Sequence, residues 1–327
     1  MHFLIYGGGA LGQALGCLLA NKKHRVTLVT RTRFIKPIME RGLSVTGIFG
    51  DFHVEATSLE LTSAITGGDG SAYDFILLTT KSYDTAASLE DLATLTNCKA
   101  PVVSMQNGCG NLEQVQKRFG TERSLGARII TGFEIQCPAT VTITVSADDV
   151  HIGAAQAAAI PDSASRLAEM INQAGLPTIA VEDINQSLFA KLLYNCALNP
   201  LGAILGVSYG LLAEQKETRD IMDGVIEETF AVIRAVGGRI AWQSADQYKE
   251  HFYQNLIPPT YNHRPSMLQD LENNKPTEID ALTGYVSAQG KKHAISTPRC
   301  DLLNALIRFK QQNRAGLPTA RTSRMTN

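Results

Sequence analysis

Aromatic residues are scarce in this chain, at 6% of its 327 residues with a single Trp, and charge of either sign is modest, at 19%. There is no excess of basic residues: 30 Lys and Arg stand against 31 Asp and Glu, for a formal net charge of -1. With neither a global positive field nor a basic patch interleaved with aromatics, the sequence disfavours nucleic-acid binding and gives an anionic membrane no hold. Cysteine spacing excludes more. Cys17, Cys98, Cys109, Cys137, Cys196 and Cys300 form neither CxxC nor CxH pairs, so no zinc site, no other metal centre and no disulfide framework is indicated. A reducing, cytoplasmic setting fits. No apolar run of about 18 residues is evident, nor a basic and apolar leader, nor an internal repeat; the expectation is therefore no membrane partner. What remains, 44% hydrophobic, suits an ordinary globular protein of about two domains acting on a small molecule.

The first such site opens at once. His2 to Tyr6, HFLIY, is a short apolar strand that runs into Gly7-Gly8-Gly9-Ala10-Leu11-Gly12, and a helical pattern follows to about Ala20. This is GxGxxG between strand and helix, with a second strand at Arg25 to Thr30. Gly7 serves the tight turn, Gly9 the close approach of a pyrophosphate, and Gly12 the packing of helix on strand, with the helix N-terminus facing the phosphates. The alternative is a glycine-rich turn without a ligand. Where an NAD-selective fold carries an acidic residue for the ribose hydroxyls, this chain has Thr30-Arg31-Thr32-Arg33. Guanidiniums suit a 2′-phosphate, so NADP(H) is favoured over NAD(H), with Arg31 the better candidate; otherwise both arginines are merely solvated.

Further along, Leu43 to Thr46 and Phe52 to Ala56 read as a small hairpin. Tyr73 to Thr80 and Val102 to Met105 are buried-type strands ending at Lys81 and at Gln106-Asn107-Gly108. Ligands of open parallel sheets bind beyond the carboxyl ends of the strands, so Lys81 and Asn107 are candidates for the glycine-loop crevice. Their bland readings are a surface lysine at a helix start and a turn asparagine bonding its own backbone. Ser124 to Gly153 is strand-rich, with alternation in TVTITV at Thr140 to Val145, and is expected to extend the sheet with antiparallel strands. A helix from Asp162 to Ala174 and a last strand at Thr178 to Val181 close the domain, and Asp183 or Asn185 caps the next helix.

That helix carries the most informative stretch, Asn185 to Pro200, NQSLFAKLLYNCALNP. At about 100° per residue, Lys191, Asn195 and Asn199 stand a turn apart on one face, while apolar residues cover the other directions. A buried ammonium needs an anion, a hydrogen-bonding cluster or a lowered pKa, so the stripe reads as a working surface. The alternative is a solvent-facing side with Lys191 an ordinary surface lysine. Beyond it the pattern is helical throughout: Asp220 to Val236, Ser244 to Tyr253, Ser266 to Asn273, Glu278 to Gln289 and Thr297 to Lys310. Ser266, after Pro265, stands where exposed amides attract an anion, or it is only a cap; Glu278 near a helix start is read first as a macrodipole partner. The expected organisation is residues 1–182, residues 183–312 and a mobile tail over residues 313–327.

GGGALG, TTKS, QNG, FAKLLYNCALNPL, PSMLQDL and TEIDALTGYV occur in the order found in 2-dehydropantoate 2-reductases, also called ketopantoate reductases. From residue 2 to about Lys310 the chain resembles that family. The resemblance implies an α/β fold: an N-terminal Rossmann-like doubly wound sheet and an all-helical C-terminal domain of the 6-phosphogluconate dehydrogenase type, with NADPH and a 2-keto acid in the cleft between them. It implies hydride transfer to the keto carbon of 2-dehydropantoate, giving pantoate for pantothenate and coenzyme A synthesis. By resemblance Lys191 is the general acid and Glu278 takes part in binding and catalysis. With the glycine loop and Arg31 read above, the expected cofactor-binding residues are Gly7, Gly8, Gly9, Ala10, Leu11, Gly12, Arg31, Lys81 and Asn107. The resemblance implies that Asn107, Lys191, Asn195, Asn199, Ser266 and Glu278 hold the substrate. A helical second domain of this kind is compatible with a homodimer. The chain departs from the family at His263, three residues before Ser266, where an asparagine is usual. Two other readings stay open: a reductase of another 2-keto acid or an opine-type dehydrogenase, and an NADP(H)-binding sensor without catalysis.

Overall fold

The computed structural model describes residues 1–313; the expected mobile tail lies, from residue 314 on, outside the described residues. The chain begins β1 (His2–Tyr6), α1 (Ala10–Asn21), β2 (Arg25–Val29), α2 (Thr32–Arg41), β3 (Leu43–Gly47), β4 (Phe52–Val54), β5 (Glu60–Thr62) and β6 (Gly68–Asp69). It continues β7 (Phe75–Leu78), α3 (Thr85–Leu92), β8 (Leu95–Thr96), β9 (Val102–Ser104), α4 (Asn111–Phe119), β10 (Ser124–Arg128), β11 (Thr131–Cys137), β12 (Thr140–Ser146), β13 (Val150–Gly153), α5 (Asp162–Gln173) and β14 (Thr178–Ala180). Helices follow: α6 (Ile184–Leu205), α7 (Tyr209–Glu214), α8 (Lys216–Ala235), α9 (Ala245–His251), α10 (Ser266–Glu272), α11 (Thr283–Lys292) and α12 (Pro298–Gln312).

Eight strands form the main sheet in the order β14-β13-β10-β9-β7-β1-β2-β5, parallel throughout except where β13 runs antiparallel to β10. Its central strands are buried on both faces, as helix-covered parallel strands must be. Phe3, Ile5, Leu28 and Leu77 pack with Leu15 and Leu18 of α1 and Leu167 of α5. The alternate residues Leu4, Ile76, Leu78 and Val102 pack with Leu89 and Leu92 of α3 and Val115 of α4. Each fully buried aliphatic side chain contributes about 1.5–3 kcal/mol, so this period-two apolar pattern fixes the register.

The TVTITV stretch corrects the expectation that Ser124 to Gly153 simply extends this sheet. β12 lies in a separate four-stranded sheet, ordered β11-β12-β3-β4, and pairs parallel with β3 through Val141 and Val45. The β3 and β4 segments pair antiparallel, as the hairpin reading expects. Strand alternation reports a half-buried face, and it carries no information about which edge a strand will join.

By packing, the chain divides into a unit of Met1–Lys191 and one beginning at Leu192. This packing division falls inside α6, because the first turns of the helix are held by the sheet: Ile184 N–H donates to the Ala154 carbonyl at 3.1 Å, and Ser187 Oγ lies 2.8 Å from His151 Nδ1. Asp183 caps its start, accepting from Asn185 N–H at 3.1 Å. Among the described residues α6 is also the one helix long and apolar enough to cross a membrane by length and composition, which corrects the expectation of no such run. Its apolar residues lie on either side of Lys191 and Asn195, and 72% of its most apolar window is buried, as in a core helix.

The second unit is helical throughout its described residues. Tyr194 and Tyr209 meet edge to face at 5.7 Å, and Tyr194 meets Phe252 in the same way at 6.2 Å. Glu228, 7% exposed on α8, accepts from the Arg299 and Cys300 amides at 2.9 Å each and so caps α12.

Candidate functional site

Why the glycine loop has its sequence is visible atom by atom. Gly7 has φ +126°, and a Cβ there would stand 2.6 Å from the Thr80 amide nitrogen. At Gly12 a Cβ would meet the Gly7 carbonyl oxygen at 1.9 Å, and at Gly8 it would meet Thr30 Oγ1 at the same distance. Gly9 is the opposite case: a Cβ there meets nothing within 4 Å, and the residue is exposed. The loop's carbonyls are tied back beneath it. Thr79 Oγ1 donates to the Gly7 carbonyl at 2.7 Å, and fully buried Gln13 donates through Nε2 to the Gly8 carbonyl at 2.9 Å, joined by Thr30 Oγ1 at 3.4 Å. Gly9 is the N-cap of α1, whose first turn, opening with Ala10 and Leu11, has no acidic residue and no side-chain cap. A helix start left open in this way offers amides and a positive dipole end to a phosphate, and the bare Gly9 position is a cradle that a Cβ would fill. The residues present fit a dinucleotide.

Around the loop the strand ends supply the rest of the first unit's candidates. Arg31, past β2, is exposed, with its guanidinium 4.0 Å from Asp84, while Arg33 lies over the Phe34 ring at 4.8 Å. Lys81 follows β7, and the loop that holds it is pinned by Gln106, whose Nε2 donates to Thr85 Oγ1 at 2.8 Å and to the Lys81 carbonyl at 3.3 Å. Past β9, Asn111 Nδ2 donates to the Asn107 carbonyl at 2.9 Å. This leaves the Asn107 side chain to serve elsewhere, and it accepts from Lys191 Nζ at 2.6 Å. Lys191 also donates to the Ile129 carbonyl at 2.5 Å. The lysine is thus half-buried and held by neutral oxygens from two strand ends.

Below Lys191 lies a polar cluster that sequence reasoning missed. Arg128, 4% exposed, donates to Asp148 Oδ2 at 2.7 Å, and His151 Nε2 lies 3.7 Å from the same oxygen. Burial pulls the His151 pKa down and the Arg128 charge pulls it further, so the ring is neutral at pH 7. For Asp148 burial pushes the pKa up, but the hydrogen bond and charge of Arg128 outweigh it and the net direction is down. These three residues carry no local signature; the cross-strand pairing of Arg128 with His151 assembles them.

In the second unit the structure joins Asn199 and Ser266. Asn199 Nδ2 donates to Ser266 Oγ at 3.1 Å, and Asn199 Oδ1 accepts from the Met267 amide at 3.1 Å. Ser266 is the first residue of α10 and is exposed, the N-cap position being Pro265. Glu278 is 8% exposed and its side chain does not cap the short turn that follows. Asn195 is half-buried, one helical turn from Asn199. His263 packs its ring against Tyr209 at 5.1 Å.

A parallel sheet, a glycine turn with a bare helix start and polar side chains gathered at the strand ends define a Rossmann-like dinucleotide-binding oxidoreductase fold. The family model described as ketopantoate reductase PanE/ApbA matches residues 3–157, and its C-terminal counterpart matches residues 183–311. The 2-dehydropantoate 2-reductase of Aquifex aeolicus (strain VF5) is 36% identical over 311 residues, covering 95% of this chain and 97% of that protein. That of Pyrococcus horikoshii is 32% identical over 316 residues, covering 95% and 98%. The crystal structure of 2-dehydropantoate 2-reductase from Geobacter metallireducens GS-15 superposes with a TM-score of 0.83 at 27% identity, covering 94% of this chain and 99% of that one. The chain belongs to the ketopantoate reductase family, a family of NAD(P)H-dependent oxidoreductases.

Proposed function

We propose that this chain reduces 2-dehydropantoate to pantoate with NADPH, and that Lys191 supplies the proton. The observation that carries the reading is the pair of bonds on Lys191 Nζ, 2.6 Å to Asn107 Oδ1 and 2.5 Å to the Ile129 carbonyl. They hold an ammonium beyond the carboxyl ends of the strands, where ligands of such sheets bind. NADPH, when bound, supplies the hydride. An ammonium beside a keto oxygen polarises the carbonyl, and Nζ then transfers a proton to the developing alkoxide. Asn107, released from its own turn by Asn111, orients that ammonium and contacts the reacting end of cofactor and substrate.

In this reading residues 1–182 bind the dinucleotide and residues 183–312 the substrate. The open amides at Gly9, Ala10 and Leu11 take the pyrophosphate, with Gly7, Gly8 and Gly12 shaping the turn. Arg31, only loosely tied to Asp84, takes the 2′-phosphate, and Lys81 a neighbouring part of the cofactor. Asn195 and Asn199 bind substrate hydroxyl groups, Ser266 the carboxylate, and Glu278 assists binding and catalysis. Leu302, Leu306 and Phe309 leave an exposed apolar stripe on α12, at 59%, 39% and 64%, which supports pairing of two copies as a homodimer.

The test is the initial rate of NADPH oxidation with 2-dehydropantoate beside other 2-keto acids. A clear preference for 2-dehydropantoate supports the reading. Tight NADPH binding with turnover of a different keto acid replaces the substrate, and His263, next to the Ser266 helix, is then the first residue to exchange.

A further inference from the structure

The cluster of Arg128, Asp148, His151 and Ser187 includes none of the residues assigned to cofactor or substrate, yet it adjoins Lys191 along the chain, through Ile129 next to Arg128 and through Ser187 on α6. Ser187 and Lys191 are four residues apart on α6, which makes them neighbours on one face of the helix. Ser187 Oγ is bonded to His151 Nδ1 at 2.8 Å. His151 lies directly opposite Arg128 in the antiparallel pairing of β13 with β10, so both side chains leave the same face of the sheet. Arg128 is fixed by Asp148, and the next residue along, Ile129, presents the carbonyl that accepts from Lys191. Two successive turns of α6 are therefore tied to the same end of β10, one through the His151 ring and one through the lysine itself.

The cost of this arrangement argues that it serves a purpose. Arg128 is 4% exposed, and its Nη1 has no hydrogen-bond partner. Leaving a buried donor of a charged group unsatisfied is expensive, and such groups in native structures call for an explanation. Lys191 carries its ammonium on a flexible four-carbon stem. A displacement of about 1 Å at a reacting group costs up to about a hundredfold in rate, so the turn beneath that stem must be held still.

We propose that His151 and Ser187 are positioning residues that lock the Lys191 turn of α6 against the Ile129 carbonyl, with Arg128 and Asp148 as the anchor of that lock. With Asp148 facing Nε2, the ring carries its proton there and Nδ1 accepts from the Ser187 hydroxyl. None of the four moves a proton in the reaction. The inference rests on Lys191 being the general acid, and the test separates the two claims.

Full-length Ser187→Ala, Ser187→Thr, His151→Asn and Lys191→Ala are compared for kcat and KM with 2-dehydropantoate, for NADPH Kd by fluorescence, and for Tm. Ser187→Ala is expected to lose about tenfold in kcat, with NADPH Kd and Tm close to parental. Ser187→Thr, which keeps the hydroxyl, restores most of that loss, and His151→Asn, which keeps a polar group near Nδ1, falls between. A lock with only a structural role would lower Tm and leave kcat per folded molecule intact, and that result overturns the proposal. Parental kcat in both Ser187→Ala and His151→Asn, with Lys191→Ala inactive, also overturns it while the role of Lys191 stands. Parental kcat in Lys191→Ala removes both.

Discussion

Two single-methyl substitutions in the glycine loop should separate folding from cofactor binding. At Gly12 the added Cβ lands 1.9 Å from the Gly7 carbonyl oxygen and 2.8 Å from Thr79 Oγ1. The nearest of these is backbone, so the strand-to-helix turn must open. Overpacking of this kind costs about 1–3 kcal/mol or more, and at roughly 2–4 °C per kcal/mol for a unit of this size Gly12→Ala should lower Tm by roughly 2–12 °C. At Gly9 the methyl meets nothing, and φ -75° with ψ -169° is extended backbone open to alanine. Exchanging glycine for alanine at an N-cap costs up to about 1 kcal/mol, and the stiffer unfolded chain returns about 0.4–1 kcal/mol, so Tm should stay within a few degrees. The same methyl intrudes where a pyrophosphate would approach. A clash of about 1–3 kcal/mol there weakens NADPH binding roughly five- to a hundredfold. The assay is a thermal melt without ligand beside a fluorescence titration with NADPH. Parental NADPH affinity in Gly9→Ala, or a Gly12→Ala protein as stable as the parent, would refute this account of the loop.

Two further predictions follow from charge. Arg31→Ala should weaken NADPH by about tenfold or more while changing NADH little, because the exposed pair it makes with Asp84 at 4.0 Å contributes little and its loss should not disturb the fold; the ratio of the two Kd values checks it, and equal losses for both cofactors would refute a 2′-phosphate contact. His2, His24 and His151 all have pKa values lowered chiefly by burial. The unfolded chain then binds protons near pH 6.5 that the folded chain refuses, so stability is full above that pH and falls as the solution is acidified toward the folded-state values. Melting curves between pH 7.5 and pH 5 (roughly the histidine range) should show Tm declining on acidification; a flat or rising Tm contradicts the burial of these rings.

How much of this the sequence carried depended on how local each signal was. Strand, glycine turn and helix are contiguous from His2 to Asn21, so the strand, the turn and the helix could be read from GxGxxG and its flanks. The stripe of Lys191, Asn195 and Asn199 was readable because helical periodicity is itself local. The partners of Lys191 were not: Asn107 and Ile129 lie 84 and 62 residues earlier, at two different strand ends. The lock of Arg128 and His151 exists only through the turn-back of β13 on β10, and β12 found its place beside β3, almost a hundred residues upstream. The division of the chain inside α6 was hidden for a related reason. Apolar periodicity continues unbroken through Lys191, and Asp183 marks where a helix starts, not where packing changes partner.

The central claim is that Lys191 delivers the proton, and the most direct measurement is kcat for 2-dehydropantoate reduction by Lys191→Ala, with NADPH Kd measured on the same preparation. The account predicts a loss of roughly a hundredfold or more in kcat, as for a removed general acid, with NADPH affinity nearly unchanged. A variant that binds NADPH normally and turns over 2-dehydropantoate at the parental rate would contradict it.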